Sequence, residues 1–169
     1  MLDLGCGGGW LLEAFAEHGV DPLRLHGIDL IKTRVEVARR RVPKADVRVA
    51  DADSLPFEGG RFQLVTMLTA LSSTAEERLE PALAEVRRVT APGGLVLCYE
   101  ARFANPLNRS VAGVPPRVLE AALGPARSAA TLTGFPPLAR RLGPLTERLY
   151  PSLSKLAPTH RISTHEPGR

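Results

Sequence analysis

The sequence predicts an α/β protein with a doubly wound, mostly parallel sheet and helices on both faces. Three observations carry that reading. Strand-like and helix-like segments alternate from Met1 to Tyr99, the rhythm of successive βα units. Phe62–Leu68 and Leu95–Tyr99 are near-continuous apolar runs, as strands buried on both faces are. A glycine cluster, Gly5-Cys-Gly-Gly-Gly9, separates the first strand from the first helix, where backbone freedom and exposed N–H groups serve a ligand.

Each element follows in order. Met1–Leu4 is a short apolar strand. Trp10–His18 carries apolar residues at helical spacing and stops at Gly19. Leu23–Ile28 reads as a second strand ending at Asp29, and Thr33–Val42 as a helix with Val35, Val37 and Ala38 turned inward, closed before Pro43. Asp46–Ala50 alternates like a strand. The turn Pro56–Gly60 precedes the Phe62–Leu68 strand. Glu76–Val89 is a helix with Leu79, Leu83, Val86 and Val89 on one face, and Ala91-Pro-Gly-Gly94 stops it before Leu95–Tyr99. Beyond Ala101 the rhythm weakens. Asn105–Pro116 is loop-like, Pro116–Leu123 helical and Arg127–Leu132 strand-like. Residues 138–157 offer helices broken by prolines, and Arg161–Thr164 is a last short strand.

A length of 169 residues suits one domain with a substantial core. No apolar run reaches the roughly 20 residues of a membrane helix, and Met1–Gly9 lacks the features of a secretory signal. Cys6 and Cys98 form no disulfide framework, which points to a reducing, cytoplasmic setting. Charge divides the chain. Residues 1–100 hold 12 basic and 15 acidic side chains, residues 101–169 hold 10 and 3, and the whole carries +4. A basic C-terminal part suits an anionic partner, or it is a solubilising arginine-rich surface.

The glycine turn fails the dinucleotide pattern G-x-G-x-x-G/A, because Trp10 or Leu12 falls where the third small residue belongs. That disfavours a nicotinamide oxidoreductase. What fits is an acid two residues before G-x-G-x-G: Asp3, Gly5, Gly7 and Gly9. Further motifs are Gly27-Ile-Asp-Leu30, Ala50-Asp-Ala-Asp-Ser-Leu-Pro-Phe57 and Arg87-Arg-Val-Thr-Ala-Pro-Gly-Gly-Leu95. With them the chain resembles the class I S-adenosylmethionine-dependent methyltransferases over about residues 2–100. The resemblance implies S-adenosyl-L-methionine as cofactor. Asp3, Gly5, Cys6 and Gly7 would hold its methionine part, and Asp29, followed by Leu30, the ribose hydroxyls. Asp51 and the Ala52 N–H would meet the adenine, and Met67 on the fourth strand joins this set. An ionised acid is acceptor-only and suits a vicinal diol whose hydroxyls both donate. Residues 1–101 would then be the cofactor-binding core, and 102–169 the basic, proline-rich part of the same domain that completes the sheet and the acceptor side.

Ser72-Ser73, Tyr99-Glu-Ala-Arg-Phe-Ala-Asn-Pro106 and Pro136-Pro-Leu-Ala-Arg-Arg141 resemble a bacterial branch of that superfamily associated with sugar, glycolipid or secondary-metabolite methylation. A small-molecule or glycan/lipid-linked acceptor is implied, with an anionic one left open. Ser72, Glu100 and Arg102, at strand ends, are the acceptor-side candidates, or they only fix loops. Glu100 is the one candidate base. Family members carry a helix ahead of the first strand. This chain starts inside that strand, so its start is misassigned, or it is a fragment, or the site is open. An open site would bind cofactor weakly and leave neighbours uncovered, which would favour a homodimer.

Asp53 reads as a solvated turn acid, Cys6 as a small residue between glycines and not a nucleophile, Trp10 as packed, and Tyr99 as core. His160 and His165 have no companions at ligand spacing, so no metal is expected. Two other classes remain beside the methyltransferase. One is a truncated, non-catalytic cofactor-binding or interaction module. The other is a nucleic-acid methyltransferase, disfavoured because Met67-Leu-Thr-Ala-Leu-Ser-Ser73 lacks the Asn/Asp-Pro-Pro-aromatic motif.

Overall fold

Seven strands build one sheet in the order β3-β2-β1-β4-β5-β7-β6, as seen in a computed structural model that describes residues 1–104, 111–132 and 159–168. β1 (Leu2–Leu4), β2 (His26–Asp29), β3 (Asp46–Val49), β4 (Phe62–Leu68) and β5 (Thr90–Ala101) run parallel. β7 (His160–His165) lies antiparallel between β5 and β6 (Ala126–Leu132). The chain winds outward from β1 through β2 to β3, then returns to β1's other side with β4 and continues to β5. The reversal leaves a crevice at the C-terminal ends of β1 and β4, the place where open α/β sheets bind ligands.

Two apolar cores flank the sheet. On one face α3 (Glu76–Val89) and α4 (Pro116–Leu123) cover Leu2, Leu4, Val65, Met67 and Val96 with Leu83, Val86, Leu119 and Leu123. On the other, α1 (Trp10–Glu17) and α2 (Lys32–Arg41) bury Leu12, Val35 and Ala38 against Leu25 and Val47. The doubly wound α/β reading therefore holds.

Several local expectations are corrected. Val37 is 39% exposed, because it lies about 200° round the helix from Val35, whereas Ala38, three residues on, shares Val35's face. Trp10 is 59% exposed and does not pack. Tyr99 is half-buried and stacks on His160 at 5.1 Å. Pro22–Arg24 is a 3-10 turn, capped by Asp21 accepting from the Leu23 N–H at 3.0 Å, so β2 begins only at His26. The Pro92-Gly93-Gly94 stretch does not separate helix from strand. β5 starts at Thr90 and absorbs those residues in a register shift opposite Phe62–Leu64. The helices expected in residues 138–157, and Pro136–Arg141, fall outside the described residues. No helix among the described residues is long and apolar enough to cross a membrane.

Candidate functional site

The crevice holds a cavity of about 440 Å³. Its floor is Leu4 and Gly5 from the end of β1, and one side is Ile28–Ile31 and Arg34 from the end of β2 onward. Ala50, Asp51 and Ala52 after β3 form the far end, while Leu68, Thr69, Ala70 and Ser73–Ala75 after β4 face them, with Arg78 from α3. Five of the expected contacts therefore line it: Gly5, Asp29, Leu30, Asp51 and Ala52.

The glycine turn is folded tightly onto its neighbours. The N–H groups of Gly5 and Cys6 both donate to the Ile28 carbonyl, at 2.9 and 2.8 Å. Gly5 has φ +74°, and a Cβ there would stand 2.7 Å from the Cβ of Ala70. Only glycine satisfies both the left-handed backbone and that approach.

Asp29 ties this turn to the next helix. One carboxylate oxygen accepts from the Gly7 N–H at 3.0 Å, the other from the Ile31 N–H at 2.8 Å, and the Arg34 guanidinium stands 3.9 Å away. Each carboxylate oxygen has a second lone pair, so Asp29 can still accept from a ligand in the cavity it borders. Asp51 is paired differently. Arg78 bonds Asp51 and also Asp53, the latter through Nε at 3.0 Å and Nη2 at 2.6 Å. That guanidinium holds the Asp51 carboxyl below its ordinary range. Asp53, expected as a solvated turn acid, is thus one of two acids paired with the Arg78 guanidinium.

The remaining expected contacts lie behind the wall. Asp3 is buried between β2 and β4, accepting from the Thr66 hydroxyl at 2.7 Å. Burial pushes its carboxyl up to about 7, the Thr66 bond pulls it back, and the nearby Asp29 adds to the rise. Cys6 turns into the α1–α2 core, where burial pushes its thiol up to about 12, too high for a nucleophile. Met67 is fully buried in the α3–α4 core. Gly7 reaches the site through the N–H it gives to Asp29.

On the acceptor side the placement differs more. Glu100 is 2% exposed and not in the cavity lining. Its two oxygens accept from the N–H groups of Leu71 and Ser72, both at 3.0 Å. Burial pushes this carboxyl up to about 7 against those bonds. Enclosed beneath the turn, it is not placed to take a proton from a ligand in the cavity. Ser72 is buried too, its hydroxyl donating to the Thr69 carbonyl at 3.3 Å. Arg102 lies over the Phe103 ring, 5.1 Å from its centre, outside the cavity lining.

Sequence reasoning missed Ile31, Arg34, Thr69, Thr74 and Arg78. The signal for Thr69 and Thr74 was present, since ligands gather at the switch point after β4. Arg78 had none, because a helix residue's reach across to β3 is a tertiary fact. His165, with Ser163 at 3.0 Å and the Gly124 carbonyl at 2.9 Å, is a satisfied core histidine.

The donor set fits the nucleoside half of S-adenosyl-L-methionine. Asp29 offers acceptors for a diol, Asp51 for an exocyclic amine, and Leu30, Ile31 and Ala50 apolar contact for a purine.

Comparison with known proteins agrees. The methyltransferase domain family matches residues 1–94. A demethylmenaquinone methyltransferase of Renibacterium salmoninarum is 36% identical over 106 residues, covering 63% of this chain and 42% of that protein. A ubiquinone/menaquinone biosynthesis C-methyltransferase of Cupriavidus taiwanensis is 34% identical over 104 residues, covering 59% and 42%. The chain thus spans about two fifths of the length of these curated relatives. Among solved structures, geranyl diphosphate C-methyltransferase of Streptomyces coelicolor A3(2) superposes with a TM-score of 0.77 over 99% of this chain and 73% of its own. Its identity is 14%, so that likeness is one of fold.

Proposed function

The chain belongs to the methyltransferase domain family, and on that premise we propose that it moves a methyl group from S-adenosyl-L-methionine to a small-molecule acceptor. The observation that carries the reading is the cavity at the β1/β4 switch point, bordered at once by Gly5, Asp29 and Asp51. Bound there, S-adenosyl-L-methionine would supply an electrophilic methyl group on a sulfonium sulfur.

The chain's own residues do the rest by holding and orienting. Asp29 accepts from the ribose hydroxyls with the lone pairs that the Gly7 and Ile31 N–H groups leave free. Asp51, kept ionised by Arg78, accepts from the adenine amino group. The bare Cα of Gly5 lets the ligand lie against the floor. Among the described residues no acidic side chain faces the cavity from the β5 side, since Glu100 is enclosed. Alignment therefore carries the rate, and it can supply on the order of 7–11 kcal/mol.

For the acceptor we favour a quinone-type ring, because the relatives' names specify demethylmenaquinone and ubiquinone/menaquinone biosynthesis. Reduced to a quinol, such a ring offers an electron-rich carbon that needs alignment more than a strong base. A glycan-linked hydroxyl is the second choice, because it lacks a base here. The two buried free thiols, Cys6 and Cys98, favour a cytoplasmic setting.

Calorimetric titration of the chain with S-adenosylhomocysteine tests the cofactor, with saturable uptake expected. Transfer of radiolabelled methyl to demethylated quinols, glycolipids and an oligonucleotide tests the acceptor. Uptake without transfer to any of them would favour the non-catalytic module.

A further inference from the structure

The wall that closes the cavity on the β4 side is held in a costly backbone state. Thr69 has φ +58°, the one non-glycine residue in the left-handed region among those described, and it is β-branched. It lines the cavity, as do Ala70, Ser73 and Thr74. Such a conformation persists only where its surroundings over-determine it. Here the Thr69 N–H donates to the Tyr99 carbonyl at 2.7 Å, and Ser72 Oγ donates to the Thr69 carbonyl. The 3-10 turn Leu71–Ser73 that follows has its first two N–H groups bound by Glu100. The turn's Ser72 carbonyl in turn accepts from the Ala112 N–H at 2.8 Å.

We infer that Glu100 is the positioning residue of this wall. Its buried carboxylate clamps the Leu71–Ser73 turn onto the sheet, so that Ala70 packs on Gly5 and Thr69 and Ser73 stand in the cavity. A carboxylate suits the task because two adjacent donors meet it and it offers only acceptors. An amide in its place would set an NH2 against one of those N–H groups. Arg161, opposite Glu100 in the β5–β7 register, directs Nη2 to Glu120 at 2.8 Å, while its buried Nε has no hydrogen-bond partner among the described residues. That the wall serves a cofactor rests on the function proposed above; that Glu100 sets its order does not.

The experiment compares Glu100→Gln and Glu100→Asp with Leu123→Ala. The last opens a hole in the same apolar core, in α4 and away from the cavity lining. Hydrogen exchange of the 69–75 amides and calorimetric affinity for S-adenosylhomocysteine are read for each at about pH 8, where Glu100 is a carboxylate. Glu100→Gln is expected to speed exchange across 69–75 and to weaken affinity about tenfold, the worth of one hydrogen bond to a charged group. Glu100→Asp, with its charge set back by one methylene, should fall between that variant and wild type. Leu123→Ala should lower the melting temperature while leaving both readings near wild type. Unchanged exchange at 69–75 in both Glu100 variants, or equal loosening in Leu123→Ala, overturns the inference. Should the wild-type chain take up no S-adenosylhomocysteine, the cofactor reading falls, and selective loosening of 69–75 still supports the clamp.

Discussion

Asp29 and Glu100 have much in common on paper. Each sits at the C-terminal end of a parallel strand and is nearly buried, at 7% and 2% exposure. Each also accepts two backbone N–H groups at 2.8–3.0 Å. Their surroundings separate them. The donors to Asp29 come from the glycine turn on one side and the residue that precedes α2 on the other, so its carboxylate bridges two pieces of chain at the cavity's edge. Both donors to Glu100 come from one turn, which lies over it and separates it from the cavity. A buried, well-bonded acid is thus a ligand-binding group or a scaffold according to which side stays open, and no count of hydrogen bonds reveals that.

The largest expected effect is on stability against pH, and it sharpens the scaffold half of the comparison. Burial holds the Glu100 carboxyl at about 7, above its ordinary 4.5, and Asp3 at about 7, above 3.8. A raised carboxyl pKa means that the folded state binds protons the unfolded state has released. Stability is then fully present below about pH 4 for these two groups and is lost as pH rises toward 7, by a few kcal/mol in total. The Arg-paired acids Asp46, Asp51 and Glu85, whose carboxyls are held low, oppose this only as pH falls through their own range. His26 and His160, which burial holds below their ordinary 6.5, favour the fold as pH rises and offset part of the decline. Denaturant melts between pH 5 and 7.5 should show the decline, and Asp3→Asn with Glu100→Gln should flatten it. A flat wild-type profile would mean that both acids are already ionised throughout.

The ligand half of the comparison is tested by Asp29→Ala. Loss of charged hydrogen bonds at about 1.5–3 kcal/mol each should weaken S-adenosylhomocysteine ~100-fold or more by calorimetry. If affinity survives and only the melting temperature drops, Asp29 is scaffold like Glu100, and the contrast dissolves. A smaller effect separates contact from conformation in the glycine turn that Asp29 holds. Gly5→Ala must drive a Cβ to 2.7 Å from Ala70 at φ +74°, whereas at Gly7, φ +53°, a Cβ meets nothing within 4 Å. Gly7→Ala should cost about 1–2 kcal/mol for the left-handed backbone alone. Gly5→Ala should cost more and close the cavity floor, readable as lost ligand uptake.

The sequence disclosed one of these acids well and the other poorly, for a physical reason. Asp29 and Asp51 were legible because strand ends, glycine turn and the spacing between them are local, and parallel pairing brings those ends to one sheet edge. Glu100 was legible as a strand-end acid but not as an enclosed one, because the turn that covers it is contributed by β4 across the sheet. Val37 shows the same limit on a smaller scale, where an apolar residue two steps from Val35 was assigned to the wrong face. Asp3 was read as a cofactor contact, and its burial against Thr66 depends on the β1–β4 pairing, which no local pattern states.

Arg78 is the residue that sequence could not place, and it yields the smallest and most conditional effect. It reaches from α3 to Asp51 and Asp53, with about a third of each side chain exposed. Exposed ion pairs contribute little, so Arg78→Met, which keeps the stem, should weaken S-adenosylhomocysteine no more than about fivefold at neutral pH. The pH dependence is the sharper reading. Arg78 holds the Asp51 carboxyl low, so wild-type Asp51 stays a free acceptor below the ordinary carboxylate range. Without the guanidinium, Asp51 protonates at higher pH and loses one acceptor as it gains a donor. The affinity ratio between wild type and Arg78→Met should therefore widen as pH falls from about 5 toward 3.5, through the ordinary carboxylate range, and Asp51→Asn should abolish that widening. A ratio constant with pH would place Asp51 among the scaffold acids with Glu100, leaving Asp29 as the carboxylate the ligand meets.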